Sequence, residues 1–282
     1  MRVEPIYKWN VIEQSFPRIE YKNVSINQVF AAKLFCNTHD NNIFSPIEQS
    51  APDFTTYEAQ MLTTYKCVCL ELRQKLDNSY FHETDFKNMQ LHQKIVMKNS
   101  SLKLRSYLET EFFIPFRLKF KHGSKKEQEL INGICDLKKD IENEINNQYN
   151  DRKFEFIVRK IAQLPIAACS MLSSGKKYLN PDDKPPYFLH VIPYGGSTYV
   201  ILGKNVTWSD DWIDDLFKNF NSMNESIIQE FISSAILNFC VNWCSSVGFY
   251  DNLSDEKKHY LNIAFSPEME YILKTRTINL FI

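Results

Sequence analysis

The most specific run of chemistry-bearing residues is Phe35-Cys36-Asn37-Thr38-His39-Asp40-Asn41-Asn42-Ile43-Phe44-Ser45-Pro46-Ile47-Glu48. A Cys and a His separated by two residues can reach one tetrahedral Zn2+ from a knuckle-like turn, so Cys36 and His39 are candidate metal ligands. A structural zinc site takes four ligands, and this run offers two. Cys67 and Cys69 fall at i and i+2 of an expected helix, on different faces, and cannot both complete the set. A polar His capping a turn beside a buried Cys accounts for the same residues without metal.

The second candidate is the stretch FFIPFRLKFKHGSKK, in which Arg117, Lys119, Lys121, Lys125 and Lys126 alternate with or follow Phe116, Leu118 and Phe120. If its first part is a strand, a period of two places the cations on one face and the apolar residues on the other, the geometry of a phosphate-contacting ribbon. A half-buried strand edge protected by lysines reads the same way. Asp210, Asp211, Asp214 and Asp215 crowd the first turns of an expected helix, where they either complement its N-terminus or, with help from elsewhere, gather a divalent cation. Pro181-Asp182-Asp183-Lys184 is one polar loop rather than the two-strand carboxylate and lysine arrangement of a metal-dependent nuclease. There is no G-x-S-x-G, and Cys240 and Cys244, at i and i+4 of an apolar stretch, read as core.

The composition narrows the classes. Hydrophobic residues make up 44% and charged residues 24% of the 282, a globular balance far from that of disordered chains. Only 7 glycines stand against 21 phenylalanines and 14 tyrosines, and neither a dinucleotide-binding nor a P-loop glycine motif is present. Lys plus Arg (33) nearly cancels Asp plus Glu (34), so no global field draws nucleic acid or anionic membrane, and any such contact must come from a local patch. The N-terminal residues carry scattered charges and no apolar run, and the 7 cysteines show no disulfide-framework spacing. A cytoplasmic chain is therefore expected. The most apolar stretch, Phe231–Phe249, is interrupted by Ser233, Ser234, Asn238, Asn242, Ser245 and Ser246, and reads as a core helix rather than a membrane span.

Periodicity supplies the elements. The first fifty residues suggest short strands and loops. Thr55 and Glu58 have capping-box spacing ahead of a helix over about 56–76, and a noisier helical pattern over 82–113 breaks at Asn99-Ser100-Ser101. Ser124 and Glu127 suggest a second capping box before the stripe Leu130, Ile134, Leu137, Ile141 and Ile145. Beyond the polar segment 146–153 the period changes: Phe154, Phe156 and Val158 alternate, Leu164–Met171 is an apolar run, and YFLHVIPYGGSTYVILGKN predicts a hairpin about Gly195-Gly196. Capped helices follow at WSDDWIDDLFKNF, from Asn224 through Val247, and from Ser254, before a C-terminal strand or docked tail. The expectation is an α+β fold. A mainly helical region over 1–150 carries the FCNTHD segment, and an α+β region over 151–282 packs a small antiparallel sheet against the helix after Asn224.

The run INQVFAAKLFCNTHDNNIFSPIE, followed by MLTTYKCVCLELRQKL, YFLHVIPYGGSTYVIL and GFYDNLSDEKKHYLNIAF, resembles a group of uncharacterised bacterial proteins with an FCxxHDxxLFxxIE signature, over most of the chain. In longer members an upstream Cys pair and a Ser-His element make the arrangement similar to treble-clef or HNH-like zinc modules, and some relatives resemble mobile or phage-defence cargo. Cys36, His39, Asp40, Phe44 and Glu48 match the signature. No Cys or His precedes Cys36, so the ligands that would finish a zinc site and the general-base His of an HNH nuclease are missing. The resemblance implies a non-catalytic, degenerate zinc-finger-like module, with Zn2+ as its cofactor if any. Its partner would be nucleic acid or another protein chain, not a membrane. The alternative is a metal-dependent HNH-like nuclease or hydrolase built around His39 and Asp40.

Overall fold

The computed structural model describes residues 2–8, 18–25, 34–48, 51–99, 114–173, 186–208, 210–240, 242–264 and 266–282. Within them the chain runs β1 (Arg2–Lys8), β2 (Arg18–Val24), α1 (Asn37–Glu48), α2 (Tyr57–Asn99), α3 (Ile114–Asn146), β3 (Phe154–Ala162), β4 (Ile166–Ser173), β5 (Pro186–Tyr194), β6 (Ser197–Asn205), α4 (Asp211–Phe220), α5 (Glu225–Asn238), β7 (Trp243–Ser246), α6 (Val247–Asn252), α7 (Asp255–Asn262) and α8 (Pro267–Thr275). The fold is α+β, as the sequence implies.

Gly195 and Gly196 have φ of 59° and 77°, the left-handed conformation that a two-residue hairpin turn demands at both positions and that glycine adopts without strain. They join β5 to β6 in the register Tyr194↔Ser197 to Phe188↔Gly203. From this hairpin the sheet grows in both directions to the order β2-β1-β7-β4-β5-β6-β3, every described pairing antiparallel. It is larger than the small sheet expected, because β1 and β2, from the first residues of the chain, extend it past β7.

Strand alternation assigns the two faces. Tyr187, Leu189 and Val191 of β5, with Val200 and Leu202 of β6, join one cluster with α4, α5, α7 and α8, including Phe220, Ile232, Ile236 and Met269. Phe188 of β5 and Phe154 of β3 point the other way, into Phe44, Met61, Val68, Ile134 and Ile141 of α1, α2 and α3. Both faces of the sheet are thus covered by helices. At Gly203 a Cβ would lie 2.5 Å from the Phe156 ring and 3.3 Å from that of Phe188, so glycine is what lets the two rings meet over β6. The segment at 146–153 is where helix gives way to strand, but it does not divide two cores: Phe154 and Phe188 share their cluster with α2 and α3. Buried Glu144 holds this turn, accepting from the Tyr57 hydroxyl at 3.1 Å and the Arg152 N–H at 2.8 Å with one carboxylate oxygen.

Several elements differ from the periodicity reading. FFIPFRLKFKHG does not form a strand over its described part: α3 begins at Ile114 and runs through Ser124, which therefore lies within the helix rather than at its start. Arg117, Lys119, Lys121, Lys125 and Lys126 lie along this helix, where a period of 3.6 replaces the period of two that would have aligned them as a ribbon. Lys125 is exposed and stands 3.7 Å from Glu129. The helix expected over 56–76 continues to Asn99. Its cap is Thr56, whose hydroxyl accepts from the Ala59 N–H at 3.3 Å, rather than Thr55. The helix after Asn224 stops at Asn238, and Trp243–Ser246 is a strand between β1 and β4. Cys240 and Cys244 are accordingly not on one helix. Asp210 accepts from the N–H groups of Trp212 and Ile213, so it caps α4, and Asp214 pairs with Lys204 at 2.5 Å. The C-terminal tail docks on α5, the Leu280 N–H donating to the Ser233 hydroxyl at 3.0 Å. Residues 181–184 lie outside the described residues. No helix among the described residues is long and apolar enough to cross a membrane.

Candidate ligand-binding cleft

The FCNTHD segment opens α1. The Cys36 carbonyl accepts the Asp40 N–H at 2.9 Å, so Cys36, which is exposed, sits at the helix start. His39 falls in the first turn, its side chain outside the described residues. The described residues contain no group of three or more His, Cys, Asp or Glu placed to hold a metal ion. The other signature residues, Asp40, Phe44 and Glu48, recur at i, i+4 and i+8, one helical face, and that face meets α2. Phe44 is fully buried, its ring 4.9 Å from that of Phe35 and 6.0 Å from that of Tyr65. Lys66 of α2 lies 4.4 Å over the Phe44 ring, pairs with Asp40 at 3.6 Å, and is ion-paired to Glu48. The signature thus reads physically as a clamp of α1 on α2, an aromatic core with a cation held between two carboxylates.

Behind this clamp, α2 presents to the sheet a stripe of polar residues, buried at Thr64, Cys67 and Glu71 and half-buried at Gln74. Thr64, Cys67, Glu71 and Gln74 follow at i, i+3, i+7 and i+10, the spacing at which a core helix carries apolar side chains. Each has a partner across the interface. The Thr64 hydroxyl is 3.1 Å from His190 Nε2, and Cys67, one turn on, faces Cys169 of β4. Glu71 Oε1 accepts from Asn242 Nδ2 at 3.2 Å and from the Ser170 hydroxyl at 3.4 Å, and Gln74 exchanges hydrogen bonds with the Asn242 amide at 2.5 and 3.2 Å. Cys169 and His190 are directly opposite each other in the β4–β5 ladder, which sets their side chains on the same face. Cys240, just past α5, adds a third thiol, 3.5 Å from the Asn242 carbonyl and 4.0 Å from that of Cys169.

Burial sets the protonation of these groups. It holds the His190 imidazole down at about 3, so the ring is neutral, and its Nδ1 has no hydrogen-bond partner among the described residues. It pushes the Glu71 carboxyl up, opposed by Lys75 and by the hydrogen bonds from Ser170 and Asn242. The contact with Cys169, together with burial, lifts the Cys67 thiol well above its ordinary value, and burial does the same to Cys240. A raised thiol pKa slows attack by Cys67 and Cys240 by reducing the thiolate fraction, since the thiolate is the nucleophile.

Between α1, α2, β4 and β5 lies a cavity of about 430 Å³. Leu34, Phe35, Ile47, Leu70, Val191 and Ile192 supply most of its wall, Cys67 and Cys169 line it as well, and Asp40, Thr63 and Lys66 are its polar residues. Asp40 and Lys66 are partly exposed, which marks the end open to solvent. Of the expected site residues, the structure brings Asp40 to this cleft and places Glu48 on its Lys66; Arg117, Lys119, Lys121, Lys125 and Lys126 belong to α3. Sequence reasoning does not reach the cleft residues on β4 and β5. The available signal is the recurrence of Thr, Cys, Glu and Gln at core spacing in a helix otherwise apolar on that side. Comparison with protein-family models, with curated proteins and with solved structures finds no match for this chain, so the reading of the cleft rests on its own chemistry.

Proposed function

We propose that the chain is a non-catalytic binding module whose cleft between α1, α2, β4 and β5 takes a small, mainly apolar ligand. The observation that carries this reading is the cavity itself. Its volume of about 430 Å³ lies within the range of about 300–1,000 Å³ typical of small-molecule sites, and its apolar wall with a few polar groups at one end is the usual design of such sites. The His190 imidazole behind the cleft is held neutral by burial, which supports binding over acid–base chemistry. The polar end carries one cation, Lys66, between two carboxylates, Asp40 and Glu48. That balance favours a neutral or cationic head group over an anionic one. The test is isothermal titration calorimetry of the protein with medium-chain alkyl alcohols, amines and carboxylates. Saturable binding of alcohols and amines, weaker for carboxylates and abolished by Ala167→Phe on the β4 wall of the cavity, is expected. Failure of every series to bind, or binding untouched by that substitution, would overturn the reading.

A further inference from the structure

The cleft also brings two cysteines from distant parts of the chain to one wall. Cys67 lies on α2 and Cys169 on β4, elements that pack directly on one another. Both line the cavity, and the contacts on either side set them against each other: Thr64, one turn before Cys67 on α2, reaches His190, the cross-strand partner of Cys169, and Glu71, one turn after it, reaches Ser170. Their exposures differ: Cys67 is almost wholly buried, at 1%, whereas Cys169 is half-buried. A molecule entering the cleft therefore meets Cys169 first, with Cys67 directly behind it. Cys240 stands on the far side of the Cys169 backbone, its thiol turned to the Asn242 and Cys169 carbonyls, and is not among the cavity-lining residues.

We propose that Cys67 and Cys169 are a reversible dithiol–disulfide pair, oxidised by a low-molecular-weight disulfide admitted through the cleft. The Cys169 thiol gives up its proton and its sulfur attacks one sulfur of the small disulfide. That S–S bond breaks, and the departing thiolate takes up a proton. The Cys67 thiol, facing Cys169 where α2 packs on β4, then loses its proton and attacks the Cys169 sulfur of the mixed disulfide. This forms the Cys67–Cys169 bond and releases the second small thiol. The protein loses two hydrogens and two electrons, and the small disulfide is reduced to two thiols. The bond would tie α2 to β4 across the wall of the cleft. The proposal does not depend on which ligand the cleft binds.

The experiment is incubation of the full chain with glutathione disulfide, acid quenching, alkylation of remaining thiols under denaturing conditions, and peptide mapping by mass spectrometry. Of the chain's 7 cysteines, two fewer should be alkylated, with one linked peptide pair containing Cys67 and Cys169, and excess reduced glutathione should restore full alkylation. Cys67→Ser should halt at a glutathionyl adduct on Cys169, while Cys36→Ser should leave the linkage unchanged. Full alkylation of the treated wild-type protein, or a linkage joining any other pair, would overturn the proposal. Mapping of the wild-type chain decides it even if a variant does not fold.

Discussion

Replacing Phe44 by alanine separates two readings of the FCNTHD segment, as a clamp of one helix on another or as part of a metal knuckle. Phe44 is fully buried, so truncation forfeits the transfer free energy of a large apolar side chain, about 1.5–3 kcal/mol. Its ring also packs against Phe35 and Tyr65, with centroids 4.9 and 6.0 Å away, and such aromatic pairs add about 0.5–1.5 kcal/mol beyond burial. Partial collapse of the vacated space brings the expectation to about 3–5 kcal/mol, the usual range for Phe→Ala in a core. The ion pairs flanking it are solvent-contacting and worth little, so Asp40→Asn should cost less than about 1 kcal/mol. Cys36→Ala, at an exposed site, should stay within about 0.5 kcal/mol. Urea unfolding followed by circular dichroism measures all three. The clamp account fails if Cys36→Ala destabilises more than Phe44→Ala, or if a chelator lowers the unfolding midpoint of the wild-type protein.

Other outcomes follow from single contacts. Gly203→Ala must drive the new methyl into the Phe156 ring, which lies 2.5 Å from where that methyl would stand, and is expected to lower stability by about 1–3 kcal/mol in the same assay. His190 titrates lower when folded, at about 3, than its unfolded value of about 6.5. The unfolded chain therefore binds a proton that the native state refuses, and the stability contributed by the neutral ring is present above about pH 6.5 and lost as pH falls toward about 3. The slope from this group is about 1.4 kcal/mol per pH unit, and denaturation midpoints across that window should flatten in His190→Gln. Asp210→Ala removes the acceptor for the Trp212 and Ile213 N–H groups and should cost about 1 kcal/mol, read from thermal melts.

What can be read in the sequence is local. The Gly195-Gly196 turn and the caps at Asp210, Asn224 and Ser254 follow from residue types acting on their immediate neighbours. What escapes is non-local. Trp243–Ser246 continues the apolar run of α5 at helical spacing, and only pairing with β1 and β4, distant in sequence, makes it a strand. In FFIPFRLKFK a short alternation masks the meaning of Pro115, a residue suited to the first turn of a helix, and it is the second residue of α3. The cleft is harder still. Asp40, Phe44 and Glu48 stand out as chemistry although their partners, Lys66, Phe35 and Tyr65, make them a packing device. Cys169 and His190 carry no signal of their own, because nothing in the sequence shows that β4 and β5 set them side by side.

The most direct test of the cleft as a binding site is methyl NMR of isotopically labelled protein titrated with 1-octanol. Concentration-dependent, saturable shifts confined to the methyls of Leu34, Ile47, Leu70 and Ile192 are expected, with those of Ile232 and Ile236, on the opposite side of the sheet, unmoved. Shifts spread evenly over both faces, or none at the cleft, would contradict the account.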